Sequence, residues 1–125
     1  MTRWLIDGMN LIGSRPDGWW RDRPKAQRQL VDELGRFAHT SGQSVTVVFD
    51  GREHLIDPQP GVAIVFASSS GRDAADRDIA SLVQADCAPD QLTVVTSDAD
   101  LAGRVERLGA QTRGAGAFRR LLETE

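Results

Sequence analysis

The sequence predicts an α/β fold: a parallel β-sheet with helices on both faces. Two observations carry this expectation. Short β-branched apolar runs alternate with amphipathic stretches of helical period along the whole chain. The runs are also apolar at consecutive positions, as strands must be when helices cover both sides of their sheet.

The elements follow in order. Trp4-Leu5-Ile6 reads as the first strand, and Gly8 to Arg23, rich in Gly, Pro and Arg, reads as a long irregular stretch. Pro24 suits the first turn of a helix. Leu30, Leu34, Phe37 and Ala38 then make one apolar stripe, and Gly42 suits a C-terminal cap. Val45–Phe49 is a strand ending at Asp50-Gly51, and a turn-rich loop runs through Pro58 and Pro60. Val62–Phe66 is a third strand, closed by Ser68-Ser69-Ser70-Gly71. A helix over Asp73–Ala85 places Ala75, Ile79, Leu82 and Val83 toward the core. Leu92–Thr96 is the fourth strand. A helix over Ala99–Leu108 buries Leu101, Val105 and Leu108 and stops at Gly109. A short strand at Ala110–Thr112 and a last helix carrying Phe118, Leu121 and Leu122 complete the chain. No repeat or interdomain linker is visible, and 125 residues fit a single domain over 1–125.

Bulk properties exclude several classes. No apolar run approaches the ~20 residues of a membrane span. The N-terminus turns acidic at Asp7 after a very short apolar stretch, unlike a signal peptide. Cys87 is the only cysteine, which rules out an internal disulfide or a cysteine metal cage and suits a reducing cytoplasm. Near a helix end, Cys87 is expected to be buried rather than reactive. A net charge of −3 argues against nonspecific coating of nucleic acid. Apart from Lys25, however, the cations are all arginine, which suits phosphate, and most anions are aspartate, which suits hard divalent cations.

The aspartates carry the chemistry. Strand one ends at Asp7, strand two at Asp50, and strand four leads into Thr96-Ser97-Asp98-Ala99-Asp100. In a parallel sheet these groups share one rim, where ligands of such sheets bind. Crowded carboxylates repel each other and call for a cation, and oxygen donors plus water are how Mg²⁺ or Mn²⁺ is held. Plainer roles stand beside this one. Asp50-Gly51 makes a turn, while Ser97 or Asp98 could cap a helix and Asp100 could serve its dipole. Asp76 lies about 20° from Val83 on a helical wheel, at the edge of the apolar stripe, where a charge needs a partner or a metal. Asp73 reads as a cap, and Asp78 points away from the stripe.

Asp7-Gly8-Met9-Asn10-Leu11-Ile12, Val48-Phe49-Asp50-Gly51, Ala75-Asp76 and Thr96-Ser97-Asp98, in this order, resemble the NYN domain. The chain looks most like its YacP-like branch, within the PIN-like nuclease superfamily. The resemblance runs from Arg3 to about Phe118. It implies a Rossmann-like sheet, Mg²⁺ or Mn²⁺ at the acidic cluster and endonucleolytic hydrolysis of RNA. It carries over Asp7, Asn10, Asp76 and Asp98 as the catalytic group, with Asp7, Asp76, Asp98, Asp50 and Asp100 as candidate metal ligands. One departure stands out: many relatives have a second acidic residue where this chain has Arg77.

The segment Gly13 to Arg28 adds Arg15, Trp19, Trp20, Arg21 and Arg23, with Arg72 as part of a basic rim. Aromatics among cations suit single-stranded RNA, although the tryptophans could equally pack beneath the loop. His39, at a helix end, and His54, in a loop, offer no convincing covalent nucleophile. A receiver domain would need a paired acidic motif after strand one and a late lysine, and a dehalogenase-like phosphatase would need Asp-x-Asp. Gly8, Met9 and the lack of lysine beyond Lys25 oppose both. The remaining alternative is an RNA-binding or ribosome-associated adaptor that keeps the fold but cuts poorly.

Overall fold

The computed structural model describes residues 2–15, 17–67 and 73–124. The expected Ser68-Ser69-Ser70-Gly71 closure and Arg72 lie outside them. Five parallel strands form one sheet in the order β3-β2-β1-β4-β5. They are β1 (Arg3–Asp7), β2 (Val45–Phe49), β3 (Val62–Phe66), β4 (Leu92–Val95) and β5 (Gln111–Arg113). The helices are α1 (Gly8–Gly13), α2 (Arg23–Ser41), α3 (Ala74–Ala85), α4 (Ala99–Arg107) and α5 (Ala115–Thr124).

Side-chain alternation along the strands divides the core in two. Trp4, Ile6, Val45, Val47 and Phe49 face α1, α2 and α5, together with Leu11, Ile12, Leu30, Leu34, Phe37 and Phe118. Leu5, Val48, Leu92 and Val94 face α3 and α4, together with Ile79, Val83, Leu101 and Val105. The sheet is therefore covered on both faces, as the continuous apolar runs predict. From β1 the chain builds outward through β2 to β3, then crosses back to β4 on the other side of β1. This reversal makes a switch point between β1 and β4, where the carboxyl ends of the two strands open a crevice.

Local signals explain most boundaries. Asp22 accepts a hydrogen bond from the Lys25 N–H at the start of α2, and Gly42 ends that helix at φ +70°. The stretch expected to be irregular instead contains α1 and a 3₁₀ turn over Trp19–Arg21. Glycines at both ends of α1 disfavour a helix locally, but full burial of Leu11 and Ile12 against the first core overrides propensity. Leu82 is 39% exposed, and Ala80 occupies the buried position on α3 instead. Leu108 is only partly buried, packed against the second core. Cys87 is exposed rather than buried, because it lies beyond the end of α3 in the turn toward β4. Among the described residues no helix is long and apolar enough to cross a membrane.

An ion pair ties the start of β1 to the turn after α3. Arg3 donates from both terminal nitrogens to Asp86, at 2.7 and 2.8 Å, and to the Ala88 carbonyl at 3.0 Å. The Arg3 hydrogen bond, helped by the Ala88 N–H, pulls the Asp86 carboxyl down to about 2. A carboxyl lowered in the folded state stabilises the fold above its ordinary range and loses that contribution as pH falls toward 2. Arg3→Ala is expected to cost about 1 kcal/mol at pH 7, since the pair is partly solvated. Urea melts at pH 7 and near pH 2 should show the gap closing in acid.

Candidate active site

Asp7, the last residue of β1, is buried to 6% exposure at the switch point. The Thr96 hydroxyl donates to Asp7 Oδ2 at 3.2 Å, and Thr96 Oγ1 in turn accepts the Asp98 N–H at 3.1 Å. One side chain thus joins the ends of β1 and β4. Burial first, then the Asp76 charge, pushes the Asp7 carboxyl up to about 7. The Thr96 hydroxyl and the nearby Asn10 N–H oppose the rise, and Asp50 adds to it.

Asp76 projects from the first turn of α3 and is half-buried. Its carboxyl is also raised, by burial first, then by the charges of Asp98 and Asp73, a hydrogen bond shared with Asp98, and Asp50. Asp98 is the N-cap of α4, and its Oδ1 accepts the N–H groups of Asp100 and Leu101 at 2.9 and 3.2 Å. The capping role and the cluster role coincide in one residue. Asn10, on α1, accepts the Ser97 N–H at 2.8 Å, and so fixes the β4–α4 turn against the helix that follows Asp7.

The fold therefore brings Asp7 and Asn10, Asp76, and Asp98 to one place from three separate segments. Asp50 lies at the edge of the group. It acts on Asp7 and Asp76 through its charge while pairing with Arg23 at 3.1 Å. Asp100 is exposed on the wall of a cleft of about 270 Å³, which Asp73, Asp76, Arg77, Asp98, Leu101 and Arg104 also line. Three of these participants carry no distinct signal in the sequence: Thr96 is one position of a motif, Asp73 reads as a cap, and Arg104 reads as an ordinary helix cation. Asp73 does occupy the N-cap position of α3, but its side chain makes no capping hydrogen bond.

The cationic segment divides in two. Arg15 donates to both Glu33 oxygens, at 2.7 and 2.9 Å, holding the α1–α2 connection onto α2. Trp19 is half-buried against the first core. Trp20 is 59% exposed, with the Arg21 guanidinium 5.9 Å from its ring centre. Arg23 reaches the acidic rim through Asp50.

Among the described residues, no three His, Cys, Asp or Glu side chains are gathered as a ready-made metal cage. The donor chemistry nonetheless fits a hard divalent cation. All the candidate donors are carboxylate oxygens, and burial first, then the charges of neighbouring carboxylates, raises the carboxyls of Asp7 and Asp76, a cost that a cation would relieve. Mg²⁺ in particular is held by one or two carboxylates and several waters rather than by an all-protein cage.

The arrangement of these motifs on this sheet has a counterpart among known families. The family model of the YacP-like NYN domain matches residues 4–125. The chain belongs to that family. The YacP-like NYN domains are PIN-like nucleases by family. The structure is similar to that of Rae1 (YacP) from Bacillus subtilis, with a TM-score of 0.80 and 28% identity, covering 99% of this chain and 75% of that one. A mutant of the same protein superimposes at 0.81, also with 28% identity, over 99% of this chain and 76% of that one. No curated protein matches the chain.

Proposed function

We propose that this YacP-like NYN domain is a cytoplasmic, Mg²⁺- or Mn²⁺-dependent endoribonuclease acting on single-stranded RNA. The observation that carries the reading is the meeting of Asp7, Asp76 and Asp98 at the β1/β4 switch point, with the carboxyls of Asp7 and Asp76 raised by burial first and then by neighbouring aspartates. A bound divalent ion would lower the pKa of water and offset charge on the reacting phosphate. Asp7, Asp76 and Asp98 would hold it, with Asp50 and Asp100 as outer contributors. Thr96 fixes Asp7, and Asn10 fixes the turn that carries Asp98. Hydrolysis of this kind needs no covalent nucleophile, and the exposed Cys87 is not called upon.

The test is cleavage of a labelled single-stranded RNA in Mn²⁺ by wild type, Asp7→Asn and Asp98→Asn. Cutting by wild type alone supports the assignment, and equal cutting by all three discredits it. RNA that binds but is never cut would favour the adaptor reading, including association with the ribosome. That second reading draws on Arg77, which lines the cleft at the position where the family resemblance leads one to expect a second acid.

Trp20, with Arg21 beside it, offers a stacking platform in this proposal, and Arg23 a nearby cation. Trp20→Ala should weaken RNA binding by roughly 1–3 kcal/mol, whereas Trp19→Ala should mainly cost stability. Fluorescence anisotropy beside thermal melts separates the two outcomes.

A further inference from the structure

We propose that Arg104 is a phosphate-binding residue of this site, taking a non-bridging oxygen of the RNA backbone at the acidic cleft. The inference rests on the nuclease reading and adds to it a specific substrate contact. Arg104 stands on α4 and lines the same cleft as Asp73, Asp76, Asp98 and Asp100. It lies one helical turn after Asp100, the spacing at which opposite charges normally pair on a helix. Arg104 nevertheless makes no ion pair or hydrogen bond with any described residue, and its side chain is exposed. Arg77, which lines the same cleft, has an interaction of its own, and other arginines are engaged elsewhere: Arg15 with Glu33, Arg23 with Asp50, and Arg119 with the Ser14 carbonyl.

An acidic cleft repels a phosphodiester. Cations at the carboxylates answer part of that repulsion, and a guanidinium lining the same cleft answers more, with a planar fork suited to phosphate oxygens. Arg107, also in the last turn of α4, does not line the cleft and is the natural control. If Arg104 only complemented the helix dipole, the two arginines would behave alike.

The experiment measures RNA affinity against salt for wild type, Arg104→Ala, Arg104→Lys and Arg107→Ala. It is done in Ca²⁺ to suppress cutting, with cleavage in Mn²⁺ followed in parallel. For a single-stranded ligand, losing one phosphate contact lowers the slope of log K against log salt by about 0.7. Arg104→Ala is expected to show that drop and an affinity loss of roughly tenfold at 0.1 M salt, with an unchanged melting temperature. Arg104→Lys should keep the slope, and Arg107→Ala should match wild type. Wild-type slope and affinity in Arg104→Ala, with wild type still cutting, overturn the assignment of Arg104 and leave the nuclease reading standing. A wild type that neither binds nor cuts RNA overturns both.

Discussion

Asp7→Asn should abolish RNA cleavage while making the folded protein more stable at pH 8. The two effects share one cause. Asp7 is almost fully buried, and its carboxyl is raised to about 7 by that burial and by Asp76. In the unfolded chain the same group titrates near 3.8. Between those values the folded state binds a proton that the unfolded state does not, so stability falls as pH rises from about 4 to about 7. Above that window the full cost is present, on the order of 4 kcal/mol. An asparagine has no charge to bury and keeps an acceptor for the Thr96 hydroxyl. Its melting temperature without divalent ions should exceed that of wild type by roughly 5 °C or more at pH 8, converging near pH 4. Activity should drop by roughly 100-fold or more, since even partners outside the metal's own ligands cost 10–100-fold. A melting temperature at pH 8 below that of wild type would remove Asp7 from the role of a strained, function-bearing acid. This is the familiar exchange of stability for activity.

Gly8→Ala should destabilise the fold by about 2–3 kcal/mol, a lowering of the melting temperature by roughly 10 °C. Gly8 opens α1 directly after Asp7. A methyl group there would sit 2.5 and 2.6 Å from Phe49 Cδ1 and Cε1, and 3.0 Å from Val47 Cγ2. Phe49 is fully buried and packs on Phe66 with ring centres 5.8 Å apart, so its ring has nowhere to move. The close approach lets the chain turn from β1 into α1 without lifting Asp7 off the sheet. A second substitution, Phe49→Leu, makes room. The double variant should therefore lose less than the two single changes summed. Strict additivity in denaturant melts would show that the contact is not the cause.

Where short-range pattern governed, the sequence was a good guide. The bounds of β2 and β3 coincide with their β-branched runs, and Leu30, Leu34, Phe37 and Ala38 all lie buried on α2. The acids at strand ends were also visible, because parallel strands leave their carboxyl ends on one rim. Burial of α1 was not visible, since Gly8 and Gly13 mask a helix that only packing rewards. Nor was the pairing of Arg15 with Glu33, which turns an apparent RNA contact into a brace between segments.

By itself, then, the amino-acid order determined the α/β class and the strands, and it singled out Asp7, Asp76 and Asp98 as candidates. Periodicity and residue type are local properties that a chain carries before it folds. The tertiary structure alone decided that Thr96 joins Asp7 to the Asp98 turn, that the Asp7 carboxyl is pushed up to about 7, and that Arg104 lines the acidic cleft with no partner among the described residues. Those facts depend on distance and burial between groups up to 89 positions apart. Only the crossover from β3 past β2 and β1 to β4 brings such groups within reach of one another.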